Sequence, residues 1–211
     1  MGCRLYLLRH AETEWNIAMK FQGQTDIPLI EDGRRQAAAL GRRMSSLKLE
    51  ALYSSDLVRA YETAQIVASY HNKQVETVPE LKELNFGEWE GLTHSEIKKK
   101  YPEELELWWN NPFSINVPGG ESFSELSKRA VNAIKKIVRK HRNGRVAVVT
   151  HGGVIRCIIG HTMGIAPSKY WRLRVNNASI SILDFPRNED DGILTLFNDC
   201  SHIIDDVAEI C

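Results

Sequence analysis

Short apolar runs alternate along the chain with longer amphipathic segments. Apolar runs without strict alternation are typical of strands in a sheet that is covered on both faces. They predict strands at 4-8, 50-53, 75-78, 146-150, 178-185 and 193-197. Apolar residues at helical spacing predict helices over 31-46, 56-70 and 121-142. This alternation predicts an α/β fold, a three-layer sandwich with a mostly parallel central sheet and helices on both faces.

The segment 85-118 interrupts the alternation. It contains short helical stretches with several large aromatic residues, Trp89, Trp108, Trp109 and Phe113. We expect a helical and aromatic insertion over one end of the sheet, in which most of the rings fill the core. No repeat or linker divides the chain, so residues 1-211 are expected to form a single domain.

Composition narrows the classes of partner. Lys and Arg together number 27, as do Asp and Glu, so the chain has no global basic field that would favour nucleic acid or an anionic membrane. No apolar stretch approaches the length of about 18 residues that a membrane-spanning helix needs. The four cysteines, Cys3, Cys157, Cys200 and Cys211, are far apart and form no CxxC pair. Reduced thiols and a cytoplasmic location are therefore expected.

The candidate chemistry begins where two predicted strands end. Arg9 and His10 follow the apolar run at 5-8, and His151 follows the run at 146-150. In α/β proteins the carboxyl ends of parallel strands, with the helix starts that follow them, bind anionic ligands. The pair of histidines therefore predicts a phosphate site.

Three further segments strengthen this prediction. The segment SSDLVRA at 54-60 places Ser and Asp at a predicted helix start, as caps, with Arg59 one turn into the helix. The predicted loop ELKELNFGEWEG at 80-91 is rich in carboxylates. Gly152 and Gly153 follow His151 at a strand-to-helix junction, where backbone N–H groups would be open to an anion.

Together these residue types are suited to phosphoryl transfer without a metal. Arg9 and Arg59 can each hold phosphoryl oxygens through two N–H groups. A neutral histidine can then attack phosphorus, and a protonated carboxyl group can supply the leaving alkoxide with its proton. The sequence has no GxxxxGK[ST], HExxH or EF-hand motif, so neither a metal nor another cofactor is expected. The other histidines are expected at the surface or in packing roles: His71, His94, His141, His161 and His202.

The segments LLRHAETEWN at 7-16 and FQGQTDIPL at 21-29, with the three segments above, resemble the histidine phosphatase superfamily, the phosphoglycerate mutase-like fold. The likeness extends to about residue 185. Within that superfamily, FGEWEGLT at 86-93 and PGGES at 118-122 are similar to bacterial α-ribazole phosphatases and broad-specificity phosphatases. The tail NDCSH at 198-202 resembles that of metal-independent phosphoserine phosphatases.

The resemblance implies a role for each site residue. His10 would be the phosphorylated nucleophile, and Glu83 the general acid and later the base for water. Phosphate would be bound by Arg9, Arg59 and His151, with Asn16, Gln22 and Gly152 as further substrate-binding positions. From the residues alone, structural roles remain open as alternatives. Arg9, Arg59 and Glu83 could form an ion-pair network, and His151 could be a core residue. Asn16 and Gln22 could be ordinary polar loop residues.

Two local features modify this interpretation. Ala11 stands where the family most often has glycine, which would be costly if that position required a positive φ. The tail could reach the pocket, with His202 near the substrate, or cover an edge strand, and we favour the edge strand.

The resulting prediction is a phosphomonoesterase that hydrolyses small-molecule phosphate monoesters, with α-ribazole 5'-phosphate or phosphoserine as candidate substrates. A phosphoglycerate mutase and a non-catalytic phosphate-binding protein are the alternatives. Residues 84-128 contain no arginine to hold a second anionic group, which favours a small, apolar or heterocyclic leaving group. A monomer and a homodimer are equally compatible with the sequence.

Overall fold

A computed structural model describes residues 2–186 and 191–203. In this part of the chain one sheet contains six strands, at β1 (Cys3–Arg9), β2 (Ala51–Ser54), β3 (Val75–Thr77), β4 (Arg145–Thr150), β5 (Ile180–Phe185) and β6 (Ile193–Asp199). The strand order is β3-β2-β4-β1-β5-β6. The first four strands in this order are parallel, β5 is antiparallel to β1, and β6 is antiparallel to β5. The predicted strands and the mostly parallel sheet are confirmed.

Helices cover both faces of this sheet. They are α1 (Glu14–Ile17), α2 (Glu31–Met44), α3 (Val58–Ser69), α4 (His94–Lys100), α5 (Pro102–Asn110), α6 (Phe123–Lys140) and α7 (Gly152–Thr162). Short 3₁₀ helices lie at Pro79–Leu81, Gly87–Trp89, Pro112–Ser114 and Pro167–Arg172. Helices α2 and α3 pack together, as do α6 and α7. No helix in the two described ranges is long and apolar enough to span a membrane.

Alternate residues of each central strand enter different cores, which explains the unbroken apolar runs. In β1, Leu5 and Leu7 belong to the core that includes residues of α6 and α7. Tyr6 and Leu8 belong to the second core, with residues of α2 and α3. Because a strand directs successive side chains to opposite faces, both faces must be apolar when both are covered. Each fully buried aliphatic side chain contributes about 1.5–3 kcal/mol.

The insertion at 85-118 forms α4, α5 and two of the 3₁₀ helices, and its tryptophans have different environments. Trp89 and Trp108 are buried, with ring centroids 5.8 Å apart. Trp108 also contacts Phe123 of α6 at 5.4 Å. Trp109, in contrast, is 43% exposed. The insertion therefore extends the core, as predicted for most of its rings.

The start of α3 differs from the prediction. Neither serine nor aspartate of the segment 54-60 caps the helix, because the N-cap position is Leu57. The first helical N–H, that of Val58, donates instead to Asp26 Oδ1 at 2.7 Å, and Asp56 forms an ion pair with Lys82 at 3.1 Å. Asp26 is distant in sequence, so the local pattern could not identify it. Its contact fixes the loop at 22-26 to the start of α3.

The tail neither covers an edge strand nor lines the pocket in the part of the chain that is described. Asn198 and Asp199 belong to the edge strand β6 itself. His202 then donates from Nε2 to the carbonyl of Ala178 at 3.0 Å, and the N–H of Ala178 donates to the carbonyl of His10 at 3.2 Å. The tail thus packs behind the loop that supports His10. Cys211 lies outside the described residues.

Candidate active site

The two histidines follow neighbouring parallel strands. Arg9 at the end of β1 is in register with Thr150 at the end of β4, and the N–H of His10 donates to the carbonyl of Thr150 at 2.9 Å. The rings of His10 and His151 are consequently 5.2 Å apart between centroids. Both side chains are buried. The predicted meeting of two strand ends therefore produces one site.

The hydrogen bonds of His10 fix its tautomer. Nδ1 lies 2.7 Å from the carbonyl oxygen of Ala11, which can only accept, so Nδ1 carries the proton. The other ring nitrogen, Nε2, is then unprotonated. Burial, followed by the charges of Arg59 and Arg9, holds the pKa of His10 well below its usual value. The result is a neutral imidazole with a lone pair, the form that a nucleophile requires.

The ring of His151 lies beside the ring of His10. Its Nε2 lies 2.8 Å from Ser55 Oγ, and Ser55 follows the neighbouring strand β2. Its Nδ1 is buried and has no partner within the described residues. Burial, followed by the charges of Arg59 and His10, lowers the pKa of His151 well below its usual value.

Two arginines bring positive charge to the histidines. Arg9 Nη1 donates to the carbonyl of Val175 at 2.6 Å, and Arg59 donates to the carbonyls of Thr25 at 3.0 Å and Gly23 at 2.7 Å. The Nε of each is buried without a partner in the described residues. Burial lowers the pKa of each guanidinium to about 10, so both remain cations near neutral pH. Each arginine is held in place by carbonyls and keeps donors for an anion.

The carbonyls that hold Arg59 belong to a loop organised by Glu90. The carboxylate of Glu90 accepts from the N–H groups of Gln24 at 2.8 Å and Thr25 at 2.9 Å. Gly23 has φ +54°, and a Cβ there would lie 1.9 Å from Glu90 Oε1. Glycine is required at this position both for its backbone conformation and for the approach of the carboxylate.

Glu83 lies in the same pocket and is held by backbone donors. Its Oε1 accepts from the N–H of Leu84 at 2.9 Å, and its Oε2 accepts from the N–H of Gly153 at 3.0 Å. This second bond corrects the prediction that Gly153 offers an open N–H to an anion, because Glu83 already uses it. Arg129 Nη2 donates to the carbonyl of Glu83 at 2.9 Å and so supports the segment from α6.

Asn16 and Gln22 both lie at the pocket. Asn16 Oδ1 accepts from the N–H of Thr13 at 3.0 Å and from Asn177 Nδ2 at 3.2 Å, so its own amide N–H₂ remains as a donor. Gln22 is 8% exposed, and its Oε1 is buried without a partner in the described part of the chain. Unsatisfied buried polar groups are uncommon in proteins and frequently mark functional positions.

The pocket has a volume of about 230 Å³, smaller than the roughly 300–1,000 Å³ of pockets for drug-sized ligands, which suits a compact phosphate ester. Its charged and polar lining residues are Arg9, His10, Asn16, Lys20, Gln22, Arg59 and Glu83, and its other lining residues are Met19, Phe21, Gly23 and Phe86. The rings of Phe21 and Phe86 have centroids 5.0 Å apart. The insertion therefore contributes Phe86 to the pocket, while its buried tryptophans contribute only to the core. Six of the eight predicted site residues line the pocket, and His151 and Gly152 lie next to it.

Ala11 is compatible with this geometry. It is absent from the described non-glycine residues that have a positive φ. It is fully buried, and its N–H donates to Thr63 Oγ1 at 3.1 Å. The conformational requirement that would have made alanine costly does not apply here.

The sequence did not indicate the contacts of several supporting residues. Ser55, Glu90, Asn177 and Arg129 act through contacts with residues far away in the chain. Arg156 is a different case, because it follows Gly152 at helical spacing and therefore lies over the same turn. In the two described ranges, no three His, Cys, Asp or Glu side chains are grouped so that they could hold a metal ion.

Comparison with known proteins finds a family model and several relatives that cover most of the chain. Residues 5–199 match the family model described as histidine phosphatase superfamily (branch 1). Phosphoserine phosphatase 1 of Hydrogenobacter thermophilus is 34% identical over 180 residues, which cover 85% of either chain. Phosphoglycerate mutase-like protein 4 of Arabidopsis thaliana is 36% identical over 202 residues, covering 94% of this chain and 86% of that protein.

Solved structures show the same architecture. Bacillus stearothermophilus YhfR superposes with a TM-score of 0.90 and 33% identity, over 96% of this chain and 100% of its own. A phosphoserine phosphatase from Entamoeba histolytica, in complex with 3-phosphoglyceric acid, superposes with a TM-score of 0.85 and 30% identity, over 96% of this chain and 100% of its own. The predicted fold class is confirmed.

Proposed function

Because the chain belongs to the histidine phosphatase superfamily (branch 1), we propose that it hydrolyses small-molecule phosphate monoesters through a phosphohistidine on His10, without a metal ion. The family membership confirms the predicted enzyme class, a phosphomonoesterase. One observation carries the proposed mechanism. Buried nitrogens without partners on Arg9, Arg59 and His151 surround a neutral histidine, in the described part of the chain.

In the first step the phosphoryl group of the ester is held by Arg9, Arg59 and the amide of Asn16. Their positive charge offsets the repulsion between the ester's negative oxygens and the attacking lone pair. His10 Nε2 attacks phosphorus, the N–P bond forms, and the P–O bond to the leaving group breaks. Glu83, in its carboxylic acid form, gives its proton to the leaving oxygen, so an alcohol departs.

In the second step water replaces the alcohol. The carboxylate of Glu83 takes a proton from water, and the oxygen of that water attacks phosphorus. The N–P bond breaks, inorganic phosphate leaves, and His10 and Glu83 return to their starting forms. One carboxyl group serves both steps because the leaving oxygen and the attacking water occupy the same side of phosphorus in turn.

The candidate substrates are phosphoserine and α-ribazole 5'-phosphate. The likeness of 86-93 and 118-122 to α-ribazole phosphatases supports one, and the phosphoserine phosphatases among the similar proteins support the other. We also propose a cytoplasmic location, which is supported by the free, buried thiols of Cys3, Cys157 and Cys200.

The proposal is tested by phosphate release in excess chelator. The panel contains phosphoserine, α-ribazole 5'-phosphate, phosphoglycerates and a generic aryl phosphate. We expect wild type to turn over at least one ester and His10→Ala to lose activity by about 1,000-fold or more. His161→Ala, which removes an exposed histidine of α7, is the matched control. Turnover that disappears with chelation, or that survives His10→Ala, would contradict the proposal.

A second arm separates hydrolysis from mutase chemistry. Incubation with a labelled bisphosphoglycerate should label His10 in either case, because a phosphatase of this kind can also accept its phosphoryl group. A phosphatase then releases inorganic phosphate, whereas a mutase returns the group to a phosphoglycerate. Dominant transfer to phosphoglycerate would replace the proposed function by the mutase. No label and no turnover would indicate a phosphate-binding protein.

A further inference from the structure

Arg156 lies next to the pocket and is not used in the mechanism proposed above. It is in the second turn of α7, where its Nε donates to the carbonyl of Leu173 at 2.9 Å and its guanidinium lies over the ring of Trp171 at 5.7 Å. These contacts hold the guanidinium in place. Its two terminal nitrogens have no hydrogen-bond partner among residues 2–186 and 191–203, and neither is among the buried unpartnered atoms there. They are therefore unpaired donors that are not fully buried, on a half-buried side chain that is held in place.

The accessible end of Arg156 lies beside Arg9. A Cβ placed on Gly152 would be 3.1 Å from Arg156 Nη1 and 3.5 Å from Arg9 Nε. The two guanidiniums thus converge over the bare backbone of Gly152. Among charged groups, Arg156 has the largest effect in lowering the pKa of Arg9. Two cations held this close favour anions near both, and the carboxylate of Glu83 is one such group in the protein itself.

Glu83 indicates which part of a substrate Arg156 would meet. A Cβ on Gly153 would be 2.3 Å from Glu83 Oε1, and a Cβ on the preceding Gly152 would be 3.1 Å from Arg156 Nη1. Glu83 and Arg156 therefore lie beside the same two glycines at the start of α7. In the mechanism above, Glu83 gives its proton to the leaving oxygen and therefore lies on the leaving-group side of phosphorus. Arg156 Nη1, beside the glycine that precedes Gly153, is thus a cation next to the group that would protonate the leaving oxygen.

We propose that Arg156 binds a carboxylate on the leaving group, so that the preferred substrates are phosphate monoesters of hydroxy acids. This inference rests on the function proposed above and narrows its substrate class. Two terminal nitrogens of a planar guanidinium match the two oxygens of a carboxylate. The absence of arginine from 84-128 had predicted a leaving group without a second anion. The cation comes from α7 instead, outside that range.

Two pairs of esters that differ in the carboxylate test the proposal. Phosphoserine is compared with phosphoethanolamine, and 3-phosphoglycerate with glycerol 3-phosphate, by kcat/KM. The variants are Arg156→Met, which removes the charge, and Arg156→Lys, which keeps the charge but not the two terminal nitrogens of the guanidinium. Arg145→Met removes an exposed guanidinium at the opposite end of β4 and serves as the control. Circular dichroism and turnover of an aryl phosphate report whether each variant is folded.

We expect wild type to prefer the acid in at least one pair. In Arg156→Met, kcat/KM should fall about 10- to 100-fold more for the acid than for its partner, as for loss of a charge-assisted hydrogen bond. Arg156→Lys should lose less of this preference, and Arg145→Met should keep it. The comparison within a pair makes the result independent of the amount of active protein.

Other outcomes overturn the inference. An equal loss on both members of a pair would mean that Arg156 positions Glu83 and does not bind substrate. A wild type without preference in either pair, or one active only on the aryl phosphate, would also overturn it while leaving the proposed function intact. Failure to release phosphate from any ester, the aryl phosphate included, would overturn the proposed function itself and this inference with it.

Discussion

The backbone N–H of Gly153 donates to Glu83 Oε2 at 3.0 Å, and a Cβ on Gly153 would lie 2.3 Å from Glu83 Oε1. The glycine therefore brings the carboxylate against the start of α7. Gly153→Ala keeps a helical backbone, so we expect a stability change of about 1 kcal/mol or less. We expect kcat to fall about 100-fold, because the methyl group displaces the proton donor. Phosphate release and thermal unfolding measure the two effects.

The control for this prediction is a double-mutant cycle. If Gly153→Ala acts by displacing the carboxylate, it should have little further effect in the Glu83→Gln background. Additive losses in kcat would mean that Gly153 acts through another group, and the proposed contact would then have no catalytic importance.

We predict that Arg129 also helps to position Glu83, by holding the backbone of the segment that carries it. It donates to the carbonyls of Glu80, Lys82 and Glu83 and forms a bidentate pair with Glu121. Arg129→Lys keeps the charge but cannot reproduce this set of bonds. We expect kcat to fall about 10-fold with a smaller change in KM, and stability to fall by about 2 kcal/mol.

Activity assays and urea unfolding check the prediction for Arg129, with Arg145→Lys as the control for an exposed arginine. A loss of stability with unchanged kcat would show that the segment before Glu83 holds its position without Arg129. A change confined to KM would place the effect on substrate binding instead.

The apolar pattern predicted the layers because its cause is local. Residues such as Leu5 and Tyr6 enter opposite cores, and a strand buried on both faces must be apolar along its length. The positions of His10 and His151 followed from the same pattern, since adjacent strand ends are adjacent in space. The prediction that Ser and Asp cap α3 was wrong, because the carboxylate that accepts from its first N–H belongs to Asp26 in a distant loop.

The supporting contacts of the site could not be predicted, for a related reason. The sequence predicts an open N–H at Gly153, and only the folded chain shows that Glu83 accepts from it. Arg156 belongs to α7 and not to the insertion, so its approach to Arg9 depends on how distant parts of the chain meet. When the role of a residue depends on which distant segments meet at a pocket, it can be recognised only in the three-dimensional structure.

The two histidines of the site should make stability depend on pH. Burial, and then Arg59, keep the pKa of His10 and His151 well below 6.5 in the folded protein, whereas in the unfolded chain each binds a proton near that value. Below about pH 6.5 the unfolded state therefore holds more protons. The stability contribution is complete above that pH and is lost as the pH falls towards the folded pKa, by about 1.4 kcal/mol per pH unit for each histidine.

Urea unfolding at about pH 5 to 7.5, in buffers without phosphate, measures this slope. We expect His151→Asn to reduce it by about 1.4 kcal/mol per pH unit below about pH 6.5. His161→Asn controls for the loss of an exposed imidazole of α7. Equal slopes in wild type and His151→Asn would show that the folded protein already accepts a proton on this ring.

Glu90 should affect phosphate binding indirectly, through the loop that holds Arg59. Its two oxygens accept from the N–H groups of Gln24 and Thr25, and the carbonyls of Gly23 and Thr25 in turn hold Arg59. In Glu90→Gln one oxygen becomes an N–H₂ group, which faces a donor that it cannot accept from. We expect the loop to shift and Arg59 with it, raising KM about 10-fold with a smaller change in kcat. Steady-state kinetics on the best ester measures this split, and Glu88→Gln, in the 3₁₀ helix that ends just before Glu90, is the matched control. If both variants raised KM equally, the effect would come from loss of a negative charge near the pocket, and the link from Glu90 to Arg59 would be refuted.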